Sequence, residues 1–386
     1  MNSGLIKEIK KAYFKARKHK KWKTNTLQFS LEKNNFKNLA SEIKKKNYQI
    51  KPSLCFISFL PIKREIFAGD FRDRVIHHYL FDLLSPLYDK LFINDCYSCR
   101  EKKGTGYGIK RVKYFLKSAT KNNSETAYIL KLDISGYFMN IQRKKLFEIN
   151  KKLIKKYFKN PELANNLLYL LKKVIFNNPI KNCKLRGKTS DWQGLPKNKS
   201  LFYMPDGKGL PIGNLTSQLF GNLYLNDFDH FVKEKLKCHY YGRYVDDIVI
   251  IHQDKNFLKN IIPLIQEYLA KNLCLKLHPK KIYLQEASHG LKFLGVIIKP
   301  NRIYIGKRVK NGFYQKIQAA AKGNLKNPAF FNSYLGMMKK YNTYRLRKKI
   351  MTASLTRKVL EKFQLEVNDD FSKVSPTKKI KAFEMF

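Results

Sequence analysis

Two adjacent aspartates, Asp246 and Asp247, stand between two runs of strand-forming residues. The run before them, residues 239–244, is rich in aromatic side chains, and the run after them, residues 248–251, is β-branched. This pattern predicts a strand, a tight turn and a second strand. Carboxylates in a buried turn need a compensating cation, and Mg²⁺ prefers hard oxygen ligands. An exposed polar turn would suit the same residues, so the rest of the chain must decide between them.

The charge of the chain indicates a polyanionic partner. The 386 residues include 78 Lys and Arg against 29 Asp and Glu, which gives a formal net charge of +49 spread from end to end. A compact chain this basic repels itself unless it binds a polyanion, and neutralising phosphates releases counterions. Nucleic acid is therefore the expected partner. We find no amphipathic anchor, transmembrane run or signal peptide, so we expect a cytoplasmic protein without membrane contact.

The six cysteines are scattered except for one CxxC pair, Cys96 and Cys99. No second Cys or His pair accompanies it at the spacing that zinc sites use. In a reducing cytosol we therefore expect free thiols and no zinc site.

A second informative stretch covers residues 128–138. Its β-rich run ends at Asp133, and a Ser-Gly turn then leads to Tyr137 and Phe138. Asp133 could cap the helix predicted over residues 144–157. Alternatively, it supplies a third carboxylate from a strand next to Asp246 and Asp247, an arrangement typical of two-metal nucleotidyl transfer.

Basic side chains flank several predicted turns and helix starts. Two lie near the turn between strands predicted on either side of Pro61, two lie at the start of a helix, and one opens a loop with three glycines that lacks the spacing of a P-loop. Phosphate contacts would suit all of them, while a solvated helix end or a flexible turn is the structural alternative. These residues are Lys63, Arg64, Arg72, Arg74 and Arg100.

Gly213 precedes another predicted helix, with Ile212 before it and Ser217 and Gln218 in the first turns. A glycine there permits close approach of a ligand to the backbone. Helix capping is the alternative role for the polar residues.

The order of these motifs resembles the palm of reverse transcriptases. Asp133 comes first, followed by the Gly213 loop, Tyr-Val-Asp-Asp at 244–247, a strand with Lys281, and Phe-Leu-Gly at 293–295. The resemblance implies an α+β right-hand polymerase fold and RNA-templated DNA synthesis. The expected divisions are a basic N-terminal extension (1–50), fingers (51–127, with helices and a hairpin in 140–200 shared with the palm), palm (128–139 and 201–299), helical thumb (300–367) and a loose tail (368–386).

The resemblance also implies a role for each motif. The catalytic residues are Asp133, Asp246 and Asp247, which would hold two Mg²⁺ ions or Mn²⁺ as a substitute, and Lys281 beside the leaving pyrophosphate. The expected dNTP contacts are Lys63, Arg64, the backbone from Ile134, Phe138 as the ring that excludes a ribose 2′-hydroxyl, Gly213 and Gln218. The expected template and primer contacts are Arg72, Arg74, Arg100, Ile212, Ser217, Tyr244, and the primer grip of Phe293, Leu294 and Gly295.

One departure narrows the resemblance. Where most reverse transcriptases carry Gln-Gly-x-x-x-Ser-Pro, this chain has Ile-Gly-Asn-Leu-Thr-Ser-Gln at 212–218. This variant resembles the enzymes of diversity-generating retroelements, which perform mutagenic retrohoming. The implied activity is copying of a template-repeat RNA into error-prone cDNA that diversifies a target gene. The implied partners are template RNA, the RNA–DNA hybrid, dNTPs and a small basic helical-bundle accessory protein, in a bacterial, phage-encoded or archaeal host cell.

Two other hypotheses stay open. The chain could be a reverse transcriptase of a group II intron-like or phage-defence system, although no endonuclease-like His/Asn or zinc-finger cluster follows the predicted thumb. It could also be a non-catalytic RNA-binding protein on a polymerase scaffold. The three carboxylates and the basic residues of the fingers argue against that hypothesis.

Overall fold

The computed structural model describes residues 3–59 and 62–377, so the turn predicted at Pro61 lies outside the described residues. The helices are α1 (Ser3–Arg17), α2 (Thr24–Leu31), α3 (Asn35–Lys44), α4 (Phe71–Leu91), α5 (Thr105–Ala119), α6 (Tyr137–Asn140), α7 (Arg143–Tyr157), α8 (Pro161–Phe176), α9 (Leu215–Tyr224), α10 (Asn226–His230), α11 (Lys255–Leu273), α12 (Lys307–Ala321), α13 (Phe330–Lys339), α14 (Tyr344–Met351) and α15 (Ser354–Lys362). The strands are β1 (Ser53–Ser58), β2 (Arg64–Ala68), β3 (Tyr128–Asp133), β4 (Cys183–Leu185), β5 (Tyr240–Tyr244), β6 (Asp247–His252), β7 (Tyr283–Glu286), β8 (Leu291–Phe293), β9 (Val296–Ile298), β10 (Ile303–Ile305), β11 (Leu365–Val367) and β12 (Val374–Pro376). None of the described helices is both long and apolar enough to span a membrane.

The chain divides into two units, one of residues 1–108 and 130–284 and the other of residues 109–129 and 285–386. The sequence placed this division near residue 300 and assigned residues 109–127 to the fingers. The structure differs because β8, β9 and β10 form a sheet of their own in the second unit. The amide of Ala287 also donates to the carbonyl of Ala127 at 2.8 Å, which ties residues 109–129 to that unit.

The basic N-terminal extension of the first unit is held by aromatic packing. The ring of Tyr13 on α1 lies 5.9 Å from Phe29, 5.2 Å from Phe36 and 5.9 Å from Phe71, measured between centroids. Phe71 begins α4, where the side chain of Asp70 caps the helix by accepting from the amide of Arg72. Aromatic rings bury a large apolar area, so this extension packs on α4 even though its surface is rich in lysine.

A four-stranded sheet in the order β5-β6-β3-β7 carries the predicted hairpin. The apolar run of β6, residues 248–251, is buried, which is typical of a strand covered on both faces. A second sheet in the order β2-β1-β4 pairs β1 antiparallel to β2 and parallel to β4. The two runs that surround the aspartates therefore form the predicted strands.

A covering segment, residues 188–204, follows β4 and consists of short 3₁₀ turns. Glu65 of β2 is fully buried and anchors this segment. Its carboxylate accepts hydrogen bonds from Trp192 Nε1 at 2.8 Å, Ser200 Oγ at 2.7 Å and the Leu201 amide at 2.7 Å. A buried charge is tolerated when donors satisfy it, so Glu65 fixes the covering segment to β2.

The second unit has its own apolar core between α12, α13, α14 and α15. The rings of Phe313 and Tyr334 stack at 4.9 Å inside it. The loose tail predicted from residue 368 is wrong for the described residues up to 377, because β12 pairs with β11 and Val374 is buried. Arg347 adds hydrogen bonds to the carbonyls of Phe371 at 2.9 Å and Asp370 at 2.8 Å. Residues 378–386 lie outside the described residues.

We expect Glu65→Ala to lower the free energy of unfolding by about 3 kcal/mol or more, because it leaves two buried donors and the half-buried Trp192 indole N–H without an acceptor. Urea denaturation measures this loss, and limited proteolysis should show faster cleavage within residues 188–204. Glu366→Ala, which changes an exposed glutamate, is the matched control. A Glu65→Ala variant with the urea midpoint and cleavage pattern of the unchanged chain would contradict the anchoring role.

Candidate active site

The two adjacent aspartates lie at the hairpin that joins β5 and β6. Tyr244 pairs with Asp247, so the turn consists of Val245 and Asp246 alone. Val245 has φ of +59°, and a β-branched residue adopts this left-handed conformation only when its surroundings impose it. The two favoured hairpin turns of two residues, types I′ and II′, have a positive φ at the first central residue. The tight turn between two strands is therefore present, and it stores backbone strain beside Asp246.

Asp133 is the last residue of β3, the neighbour of β6 in the sheet. Both of its carboxylate oxygens accept hydrogen bonds from Lys281 Nζ at 2.9 Å. Asp133 does not cap the following helix, because the N-cap residue of α7 is Gln142. Asp133 is thus placed in the same sheet as the two aspartates of the hairpin.

Lys131 is a residue of this cluster that the sequence analysis missed. Its Nζ lies 3.1 Å from Oδ1 of Asp247, the first residue of β6. Lys131 and Asp133 are two positions apart on β3, and such residues share one face of a strand. The spacing of two residues from Asp133 is the sequence signal that would have identified Lys131.

Asp246 lies among charges of both signs. Burial and the nearby carboxylates of Asp133 and Asp247 raise its pKa to about 6, while the guanidinium of Arg64 opposes this shift. Burial also raises the pKa of Asp247, against the opposing charge of Lys131. Three carboxylates and three cations, Arg64, Lys131 and Lys281, therefore act on one small region of the first unit.

The donor set fits a divalent ion in its chemistry. Carboxylate oxygens are the ligands that Mg²⁺ prefers, and a cation beside Asp246 would offset both the burial and the carboxylate repulsion that raise its pKa. Across residues 3–59 and 62–377, no three His, Cys, Asp or Glu side chains are already grouped around a single metal position. Metal ligation by Asp133 would compete with Lys281 for both carboxylate oxygens.

Some of the residues expected to contact a dNTP already form hydrogen bonds within the protein. Lys63 donates to the carbonyl of Gln193 in the covering segment. Ile134 is buried and forms a β-bridge with Leu277, and the next amide, that of Ser135, donates to Lys276 O at 2.9 Å. The expected backbone cradle after Asp133 therefore cannot use the Ser135 amide while this bond is present.

Phe138 is half-buried next to α9. Its ring lies 5.3 Å from that of Tyr137, and a Cβ added to Gly221 would come within 3.1 Å of Phe138 Cε1. The ring also packs against an apolar cluster that includes Phe67 and Leu201. Phe138 is thus held by packing on several sides, and its expected exclusion of a 2′-hydroxyl stays a prediction.

Gly213 allows two segments of the protein to approach each other. Its φ is +125°, and a Cβ at this position would lie 2.8 Å from the carbonyl oxygen of Phe67 on β2. The amide of Phe67 donates to Ile212 O at 2.7 Å, and the Ile212 side chain packs against the same apolar cluster as Phe138. The close backbone approach expected for a ligand is therefore made here by β2.

The polar residues of α9 differ in exposure. Gln218 is exposed, whereas Ser217 is buried. Gln218 is accordingly free to face a ligand, while Ser217 is placed in the interior.

The three arginines expected to contact template or primer are engaged within the fold. Arg72 pairs with Glu42 and donates to Gln49 O at 2.9 Å, and Arg74 Nε donates to Gly69 O at 2.8 Å. Arg100 pairs with Asp89 at 2.6 Å. These contacts give each arginine a structural role, and nucleic-acid contacts by them stay predictions.

The residues expected to form the primer grip belong to the second unit. Phe293 ends β8 and is buried. Leu294 and Gly295 form the two-residue turn to β9, with φ of +48° and +89°, as a tight hairpin requires. Their contact with a primer stays a prediction.

A buried ion pair next to the hairpin at 244–247 was not among the residues predicted from the sequence. Arg243 and Asp229 are fully buried, and their side chains form hydrogen bonds at 2.7 and 2.6 Å. Arg243 Nη2 also contacts Cys96 Sγ at 3.4 Å, and all six cysteines are free thiols. The signal in the sequence was Arg243 itself, a charged residue inside a run of strand-forming residues.

We expect Asp246→Asn to raise stability at pH 7 to 8 in metal-free buffer, by at most about 3 kcal/mol. The pKa of Asp246 is raised in the folded chain, so its carboxylate destabilises the fold as pH rises from about 4 through about 6. Thermal denaturation from pH 4 to 8 should show the variant's advantage growing across this window. Asp369→Asn, at an exposed position, should show no such trend, and a pH-independent difference for Asp246→Asn would contradict the electrostatic analysis.

The family "Reverse transcriptase (RNA-dependent DNA polymerase)" matches residues 64–298. No curated protein gives a significant match. A structure of telomerase from Candida albicans in complex with a TWJ fragment of telomeric RNA has 13% identity and a TM-score of 0.46, covering 83% of this chain and 62% of that chain. A structure of apo telomerase from Candida tropicalis truncated from the C-terminal domain has 15% identity and a TM-score of 0.44, covering 65% of this chain and 55% of that chain.

The family match spans more than half of the 386 residues. It includes all six charged residues of the cluster described above, from Arg64 to Lys281. The chain has the α+β polymerase fold that the motifs predicted, and it belongs to the reverse transcriptase family.

Proposed function

We propose that this chain is an RNA-directed DNA polymerase that acts by two-metal nucleotidyl transfer. The observation that carries the proposal is the concentration of three carboxylates and three cations around the hairpin at 244–247, inside the family match. Asp133 and Asp246 would hold the two divalent ions, and Asp247 would supplement them. Template RNA, a DNA primer and dNTPs are the proposed ligands, in keeping with the net charge of +49.

When bound, the two ions would activate the primer 3′-hydroxyl and neutralise charge on the leaving pyrophosphate. The protein's own side chains would position the substrates and supply positive charge. Arg64, whose field already reaches Asp246, would neutralise triphosphate oxygens together with Lys63. Lys281 Nζ, held at Asp133, would lie beside the pyrophosphate as it leaves. Phe138 would occupy the space that a ribose 2′-hydroxyl needs.

Asp246→Ala should lower primer extension on an RNA template by at least about 10³-fold, because it removes a carboxylate that acts in the transition state. RNA affinity, measured by filter binding, should change little. Mg²⁺ should raise the melting temperature of the unchanged chain but not of Asp246→Ala, since ligands stabilise only the state they bind. Asp369→Ala is the control for loss of a carboxylate. Extension that survives in Asp246→Ala would overturn the proposed centre.

We further propose that the enzyme copies a template-repeat RNA into error-prone cDNA for diversification of a target gene. Ile212 and Gln218, where most reverse transcriptases have Gln and Pro, support this proposal. Ile212 packs in a cluster with Phe67 of β2 and with Phe138. It therefore links the Gly213 loop to two elements proposed to hold the incoming nucleotide. A small basic helical-bundle accessory protein and a cytoplasmic location are parts of the same proposal.

Ile212→Gln combined with Gln218→Pro should reduce misincorporation opposite template adenine, because the two changes restore the residues usual in other reverse transcriptases. Sequencing of cDNA made on a defined RNA template measures the error spectrum. Ile180→Gln places the same polar group elsewhere in the apolar cluster and should not lower the error rate. An error spectrum unchanged by the double substitution would count against a role for these two positions.

A further inference from the structure

We propose that Arg243 and Asp229 form a positioning pair that holds Val245 in its left-handed conformation and thereby places Asp246 for catalysis. This inference rests on the proposed polymerase function. Neither residue is part of the carboxylate cluster, and each is fully buried.

Several contacts hold each partner of the pair in place. The Arg243 guanidinium donates from Nε and Nη2 to the two oxygens of Asp229, at 2.7 and 2.6 Å. The hydroxyl of Tyr241, two residues earlier on β5, also donates to Asp229. The backbone of Arg243 is fixed as well, since its amide donates to Asp95 O and its carbonyl accepts from the Tyr97 amide, both at 2.9 Å.

Side chains of this network hold both backbone polar groups of Val245. Arg243 Nη1 donates to Val245 O at 2.7 Å. The Val245 amide donates to Ser98 Oγ at 3.3 Å, and Ser98 is itself hydrogen-bonded to Asn222 at 2.8 and 2.6 Å. Asn222 Oδ1 accepts in addition from Arg243 Nη1 at 3.3 Å. The peptide groups on either side of Val245 are therefore both attached to one buried network.

These contacts act on a strained residue. A non-glycine residue in the left-handed region costs about 1–3 kcal/mol and persists only when neighbouring groups over-determine it. Asp246 follows Val245 directly, so relaxation of φ at Val245 would displace the Asp246 carboxylate from Asp133. A misplacement of about 1 Å in a catalytic group can lower the rate about 10²-fold.

Stability alone does not account for the pair. Burying two charges is costly, and well-packed apolar side chains of similar volume often stabilise a fold equally well. A planar guanidinium can bind both oxygens of Asp229 and still donate to Val245 O, which a lysine ammonium cannot reproduce. Arginine at position 243 can therefore bind Asp229 and position Val245 at the same time.

The test is a rescue experiment on primer extension. Arg243→Lys keeps the charge opposite Asp229 but loses the forked donor geometry, so kcat should fall about 10- to 100-fold with little change in KM for dNTP. Adding Val245→Gly should restore at least about tenfold of that loss, because glycine adopts positive φ without penalty. Adding Val245→Ala should not, because alanine loses the same branched methyl groups but keeps a Cβ.

Additional readouts separate positioning from folding. The urea midpoint should fall in Arg243→Lys and should recover with Val245→Gly by no more than the strain at residue 245, because Asp229 still lacks its forked donor. The Mg²⁺-induced rise in melting temperature, in contrast, should recover fully. Should Arg243→Lys fail to fold, Ser98→Ala weakens the other contact of Val245 and takes its place in the same series. Equal effects of glycine and alanine at 245, or a kcat unaffected by Arg243→Lys, would overturn the inference while leaving the polymerase function standing. An unchanged chain that neither extends primers nor responds to Mg²⁺ would overturn both.

Discussion

Burial of mutually repelling carboxylates is the constraint on which this site depends. Asp133 and the hairpin aspartates lie in neighbouring strands, and burial, together with the charges of Asp133 and Asp247, raises the pKa of Asp246 to about 6. Lys281 and Lys131 contact Asp133 and Asp247, and Arg64 opposes the shift at Asp246. The negative charge that these cations leave unbalanced is centred on Asp246. A divalent cation would therefore stabilise the site most at this residue.

The surrounding fold keeps this charge cluster in place through contacts that are themselves buried and polar. Glu65 fixes the covering segment to β2, the strand that begins with Arg64. Gly213 allows the loop before α9 to approach the same strand. The Arg243–Asp229 pair supports the hairpin through the hydrogen bond from Arg243 to the carbonyl of Val245, the residue before Asp246. Each of these contacts fixes a strand or turn that carries a charged residue of the site, and such support gives a site geometric precision.

The sequence predicted the strands and the turn that carry the aspartates, but it did not predict the contacts that support them. The strand-forming runs on either side of Asp246 and the β-rich run before Asp133 are local patterns, so the sequence alone made both visible. Arg72 and Arg100 were expected to contact nucleic acid, and the sequence did not reveal their partners in the fold, Glu42 at 30 positions and Asp89 at 11 positions along the chain. Glu65 and Arg243 were missed for the same reason. A buried charge is tolerated only through distant donors or acceptors, and no local pattern reveals those.

Proton release on metal binding tests the central claim most directly. Calorimetric titration with Mn²⁺ or Mg²⁺, in buffers of different ionisation enthalpy, counts the protons displaced by the ion. Because the pKa of Asp246 is about 6, we expect release of about half a proton at pH 6 and almost none at pH 8, and loss of this release in Asp246→Asn. Metal binding with no proton release at pH 6, or no metal binding at either pH, would contradict the account.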